Sequence, residues 1–211
     1  MKLSFRSLNW FRRKSFLIAA LASLATSPGS VPAADFYWDP DGSTTGNNTD
    51  GTNLGGAGTW NTALTNWWDL SSDLAWPNLN DSYAIFTYAY GSGLPVSNTV
   101  TLGEPITANR LSFLRSGYTI TGSTLTLAGT TPTLHANLGE SATLASQISG
   151  TAGLLKTGGG SIRLSNTTNN YTGTTTIANG TLILSNQSAL GASSGAVVVR
   201  DGNGLETSVS I

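Results

Sequence analysis

Gly153 to Leu184 read GLLKTGGGSIRLSNTTNNYTGTTTIANGTLIL. Apolar residues alternate in short bursts (Ile162/Leu164, Leu182/Leu184), and Gly or Asn stands at nearly every corner between them. Period-two alternation puts both apolar side chains on one face of a strand and the middle residue on the other. Gly and Asn tolerate the left-handed backbone that tight corners require. The stretch therefore predicts strand, turn, strand, turn, without helix.

The same frame recurs outward from it. Gly122-Ser123-Thr124-Leu125-Thr126-Leu127, Gly160-Ser161-Ile162-Arg163-Leu164, Gly180-Thr181-Leu182-Ile183-Leu184 and Gly195-Ala196-Val197-Val198-Val199 each set a small residue before an apolar-x-apolar pair. Val96–Leu102, Ile106–Phe113, Tyr118–Ile120 and Leu154-Leu155 read as further strands. Units repeated in this way suggest a solenoid, in which stacked coils bury a core that no single coil could bury alone. Thr suits its outward positions, because hydroxyls on neighbouring strands can hydrogen-bond. A β-sandwich is the alternative that the same short strands allow.

The quoted stretch resembles the autotransporter-associated β-strand repeat, also called the passenger-associated transport repeat. The likeness is carried by Gly153, Leu154, Lys156, Gly158 and Gly160 in the opening, and Leu164 in the first strand. Asn170, Tyr171, Gly173 and Thr175 follow, then Gly180 and Leu182. Ala189-Leu190-Gly191 is similar to the family's exit, and the aromatic region with Leu111-Ser112-Phe113 and Tyr118-Thr119-Ile120 is similar to the N-terminal part of large secreted proteins with such repeats. The resemblance implies a right-handed parallel β-helix in an exported bacterial protein, used as a stalk or passenger and not as a catalyst. One clear repeat, with Ile211 falling inside a new strand unit, makes a fragment of a longer protein the expectation; a short secreted relative is the alternative.

The N-terminus reads as a secretory leader, residues 1–33. Lys2, Arg6, Arg12, Arg13 and Lys14 precede an apolar run from Phe16 to Ala25, which Pro28-Gly29 breaks. Val31-Pro32-Ala33 places small residues before a cut between Ala33 and Ala34. The run is too short to span a bilayer, which takes about 20 apolar residues. The general secretory route is expected over the twin-arginine route, and an uncleaved anchor is the alternative to cleavage.

The leader holds five of the ten basic residues and none of the eleven acidic ones, so the remainder carries five against eleven, a net charge of −6. No basic stripe exists, which speaks against nucleic-acid binding. The chain has no Cys, so it carries neither a disulfide framework nor a thiolate metal site. Two regions follow the leader. Residues 34–95 are aromatic and acidic and are expected to cap the solenoid; residues 96–211, rich in Thr, Leu and Gly, are expected to form it.

Candidate chemistry is sparse. Gly191-Ala192-Ser193-Ser194-Gly195 fits G-x-S-x-G, but a nucleophile elbow needs a strand–turn–helix setting and a His partner, and His135 is the sole His. Lys156-Thr157-Gly158 matches a β-lactamase triplet without the S-x-x-K it requires, so Lys156 is expected at a coil corner. One His makes no metal site, and His135 is expected on a strand, at the surface or half-buried. Asp39-Pro40-Asp41-Gly42 and Asn47-Asn48-Thr49-Asp50-Gly51 are oxygen-rich and could hold calcium, but neither has EF-hand spacing and both read as ordinary turns. Glu140, Asp201 and Glu206 are too scattered for a glycosidase pair. No catalytic, cofactor-binding or metal residue is therefore assigned.

The expected function is a non-catalytic exported scaffold, stalk or adhesin-like passenger, secreted or on the outer-membrane exterior, that meets the membrane only during export. Its expected partner is a cell-surface or extracellular polysaccharide or protein. A carbohydrate-binding module, with Trp38, Trp60, Trp67, Trp68 and Trp76 stacking on sugars, is the alternative. Part of a β-helix polysaccharide-degrading enzyme is a weaker one.

Overall fold

A chain of short alternating strands with a Gly corner after each must turn often and cannot build long hairpins. The computed structural model describes residues 34–87, 98–192, 195–200 and 202–207, all within one unit, and over them the fold is entirely β with no helix. In chain order the strands are β1 (Asp35–Trp38), β2 (Gly58–Trp60), β3 (Trp67–Trp68), β4 (Asp73–Leu74), β5 (Tyr83–Phe86) and β6 (Asn98–Leu102). Next come β7 (Ile106–Ala108), β8 (Arg110–Phe113), β9 (Tyr118–Gly122), β10 (Leu125–Leu127), β11 (Thr133–Ala136), β12 (Ser141–Leu144) and β13 (Ile148–Ser149). The last are β14 (Leu154–Thr157), β15 (Ser161–Leu164), β16 (Thr175–Ile177), β17 (Thr181–Leu184), β18 (Val197–Val199) and β19 (Gly204–Thr207).

These strands make three sheets. One has nine strands in the order β18-β16-β14-β11-β8-β5-β1-β3-β4, one has seven (β19-β17-β15-β12-β9-β6-β2), and one has three (β13-β10-β7). Successive coils thus feed the sheets in turn, and each strand pairs in parallel with its counterpart one coil on. A sandwich would need antiparallel sheets; the parallel register makes this a β-solenoid. Leu111, Leu134, Lys156, Ile177 and Val199 stack in one column, so a coil repeats every 21 to 23 residues. Among the described residues antiparallel pairing occurs only where β3 joins β1 and β4, at the N-terminal edge of the nine-stranded sheet.

The core is a set of such columns. Val100, Ile120, Leu144, Leu164 and Leu184 lie in register on the seven-stranded sheet, each at most 2% exposed. Each such side chain contributes about 1.5–3 kcal/mol by leaving water. The corners pack backbone on backbone. Gly158 and Gly180 both have φ +72°, and a Cβ on Gly158 would run into the Ala136 carbonyl, one on Gly180 into the carbonyls of Gly158 and Gly160. Only glycine fits such a corner.

The aromatic region is continuous with these sheets, since β1, β2 and β5 occupy their first rungs. Trp38, Trp60, Trp67 and Trp76 fill the interior at this end. Trp60, Trp67 and Trp76 form a triangle with ring centroids 4.7 to 4.8 Å apart. Phe86 stacks on Phe113 at 5.0 Å and 12°, handing the aromatic core on to the aliphatic columns.

Candidate functional site

Strand alternation leaves every second residue on the outside, and register lines these residues up across coils. On the seven-stranded sheet the outward column runs Thr99, Thr119, Thr143, Arg163, Ile183, Glu206. Beside it Ser141, Ser161 and Thr181 form a second. Thr119, Thr143, Arg163 and Ile183 of the first column and Ser141 and Ser161 of the second line a shallow groove of about 290 Å³. Arg163 donates through Nη1 to Ser185 Oγ at 3.0 Å, which holds the guanidinium along the sheet. Rows of hydroxyls around one guanidinium can donate to and accept from a polar polymer, and Arg is suited to carboxylate or sulfate groups. A second groove of about 400 Å³, which includes Thr131, Leu155, Thr176 and Arg200, lies along the nine-stranded sheet.

The repeat residues are structural in their placement. Leu154, Leu164 and Leu182 point into the core. Gly153, Gly158, Gly173 and Gly180 all take positive φ at corners, and Gly160 is buried beside Gly158. Tyr171 is buried with its hydroxyl 2.9 Å from Thr175 Oγ1, and burial holds its pKa above the usual phenol range. Asn170 is exposed, whereas its neighbour Asn169 is buried and bridges coils: its Oδ1 accepts from Ile148 N at 2.8 Å and its Nδ2 donates to Ala189 O at 2.9 Å. The sequence offered two adjacent Asn residues in a loop, where neither residue type nor strand phase separates them.

Lys156 is fully buried, in a column between Leu134 and Ile177. Its ammonium, not its backbone, reaches the corner, and Nζ donates to the carbonyls of Thr157 (2.7 Å), Gly158 (2.9 Å) and Asn179 (3.1 Å). Three donors meet three carbonyls from two successive coils. Burial lowers its pKa to about 8. Its partners are all backbone, so it acts as a bolt between coils.

The other candidates fall as follows. His135 is half-buried on β11, bonded to Thr157 Oγ1 at 3.1 Å and Asn137 Oδ1 at 3.0 Å. Glu140 accepts from Ser116 Oγ at 2.6 Å and meets Arg115 at 3.5 Å, which fixes it at a turn. Glu206 is exposed on β19. Ser193, Ser194 and Asp201 lie outside the described residues, as do residues 1–33, including Ala33; Ala34 is described and half-buried. Trp38, Trp60, Trp67 and Trp76 are at most 2% exposed, so none can offer a ring face to a sugar. Trp68, 8% exposed, packs edge-on against Tyr37 on the other face of the ribbon.

Among known proteins, the chain is 35% identical over 183 residues to "Adhesin BmaC autotransporter" of Brucella suis biovar 1 (strain 1330). The match covers 87% of this chain and 5% of that relative, so the chain spans a small part of the relative's length. No family model matches the chain. No solved structure matches it.

Proposed function

We propose that the chain is a segment of an exported cell-surface passenger whose solenoid serves as an adhesin-like scaffold and not as a catalyst. The observation that carries this reading is 35% identity over nearly the whole chain to an autotransporter adhesin. The fold supports it, because a solenoid exposes long in-register rows of side chains that a flat partner can follow. In this reading the leader is removed between Ala33 and Ala34 by the general secretory route, the mature chain faces the exterior, and the membrane is met only during export. The autotransporter-associated β-strand repeat supplies the corner chemistry of the coil at residues 153–184.

The contact surface in this reading is the outer face of the seven-stranded sheet, where Thr119, Thr143, Arg163 and Ile183 form one row. The partner is an extracellular polysaccharide or protein with acidic groups, recognised by Arg163 and the hydroxyl rows, and no cofactor takes part. The buried tryptophans turn the carbohydrate-binding alternative away from Trp stacking and toward this face.

The test is adhesion of beads coated with the chain to cultured host cells and to immobilised acidic polysaccharides. Coated beads are expected to bind above bare beads, and Arg163→Ala to lower that binding without changing the far-UV circular dichroism. Binding no better than bare beads on every surface contradicts the reading.

A further inference from the structure

Asp39 follows Trp38 at the end of β1, and its backbone N–H donates to Asn66 O at 3.0 Å, which continues the β1–β3 pairing by one residue. Trp38 and Trp67 point into the core, so alternation sends Asp39 and Asn66 to the opposite face. That face should be wet, yet Asp39 is 0% and Asn66 5% exposed. The loop after Asp41 folds over them, and Asn47 donates through Nδ2 to Asp39 Oδ2 at 2.6 Å.

Asp39 Oδ1, Asn47 Oδ1, Asn66 Oδ1 and Asp73 Oδ1 are all buried without a hydrogen-bond partner, and Asp39 links the four residues, through its side chain to Asn47 and Asp73 and through its backbone to Asn66. Asp39 lies within hydrogen-bonding range of the Asp41 and Asp73 side chains, and burial pushes its pKa up to about 7. Carboxylates only accept, so two of them can meet only with a proton or a cation between them. One proton joins two oxygens and leaves the other two stranded, each at a cost of about 1–3 kcal/mol. A hard cation binds six to eight oxygens at once, and bound water fills what the protein does not supply. Among the described residues no three of Asp, Glu, His and Cys form a metal-ligand group; Asp41 is exposed and its Oδ1 already accepts from Ser43 N, so the buried set is two carboxylates with two amide oxygens. That composition suits calcium and not a transition metal.

We propose that Asp39 and Asp73, with the side-chain oxygens of Asn47 and Asn66, bind a calcium ion that fastens the loop between Asp41 and Gly56 onto the first coil. Two carboxylates make the site weak, on the order of 0.1–1 mM, the range of extracellular modules. The ion would then be taken up outside the cell, where calcium is abundant.

Terbium tests this on the full chain, since Trp38 adjoins Asp39 in sequence and Trp68 pairs with Asp73 across β3 and β4. Excitation of tryptophan is expected to give saturable terbium emission that excess calcium displaces. Asp39→Asn and Asp73→Asn, each checked for wild-type circular dichroism, are expected to weaken terbium binding about tenfold or more, with Glu140→Gln unchanged. If one Asp variant fails to fold, the other decides. Calcium is also expected to raise the melting temperature of the wild type, and not of the variant, relative to chelator. No emission, emission that calcium cannot displace, or emission kept by the folded Asp variants overturns the site. A carboxyl pair that merely shares a proton gives the first of these results.

Discussion

The two ends of the described chain solve the same problem with different materials. At the N-terminal end, a few large rings interlock: Trp38, Trp60, Trp67, Trp76 and Phe86 pack against one another at all angles, and an antiparallel ribbon, β3–β4, edges the sheet. Further along, the core is made of aliphatic columns in which each residue repeats the one a coil before. A column can be extended indefinitely but cannot end itself, because its last rung has one bare face. At the N-terminal end the aromatic cluster takes the place of the columns, and rings of many orientations fill the interior there.

This contrast can be broken by mutation. Trp67→Ala should have the largest effect, about 3–5 kcal/mol, since it opens a cavity against four other rings that cannot collapse. The check is chemical denaturation followed by tryptophan fluorescence, with a lowered midpoint expected. Leu164→Ala should cost about 2–4 kcal/mol, because a column neighbour on each side can relax a little. Here the two probes should separate. All described tryptophans lie between residues 38 and 76, so fluorescence reports the aromatic end while circular dichroism reports every coil. Coil stability is a sum of nearest-neighbour terms, and the circular dichroism transition of Leu164→Ala should precede the fluorescence transition. Coincident transitions would mean that cap and coils unfold as one unit.

Lys156→Met should have the smallest effect, about 1–3 kcal/mol, from three carbonyls left without a donor. It also carries a pH signature. The folded pKa of about 8 lies below the unfolded value near 10.5, so between these limits the unfolded chain holds more protons than the native one. Stability from this group therefore rises as pH climbs from 8 toward 10, by ~1–2 kcal/mol. The wild type should gain on Lys156→Met over that range in denaturant titrations, and a constant gap would show that the ammonium is not buried.

Much of the coil was legible. Ile162/Leu164 and Leu182/Leu184 announce strands, and the glycines beside them announce corners. The in-phase spacing Leu154-x-Lys156 also marks Lys156 as inward, but its charge argues for the surface, and only the carbonyl cage of the next corner resolves the conflict. Asn169 and Asn170 could not be told apart, since both are polar and strand phase is lost in the loop. Composition alone cannot say whether a tryptophan faces a core or a ligand. The burial of Asp39 was hidden as well: Asp39-Pro40-Asp41-Gly42 reads as a solvated turn, and what covers it comes from a loop several residues away.

Parallel, in-register stacking of coils defines this fold, and the absence of Cys makes it directly testable. Thr119 and Thr143 are register partners one coil apart, while Thr119 and Arg163 stand two coils apart on the same row. Adjacent rungs are about 4.8 Å apart, within disulfide reach, and alternate rungs at about twice that are beyond it. Under mild oxidation the Thr119→Cys/Thr143→Cys chain should form an intramolecular disulfide, seen as a mobility shift that reductant reverses, and the Thr119→Cys/Arg163→Cys chain should not. Cross-linking of the second pair in preference to the first would contradict the stacked-coil account.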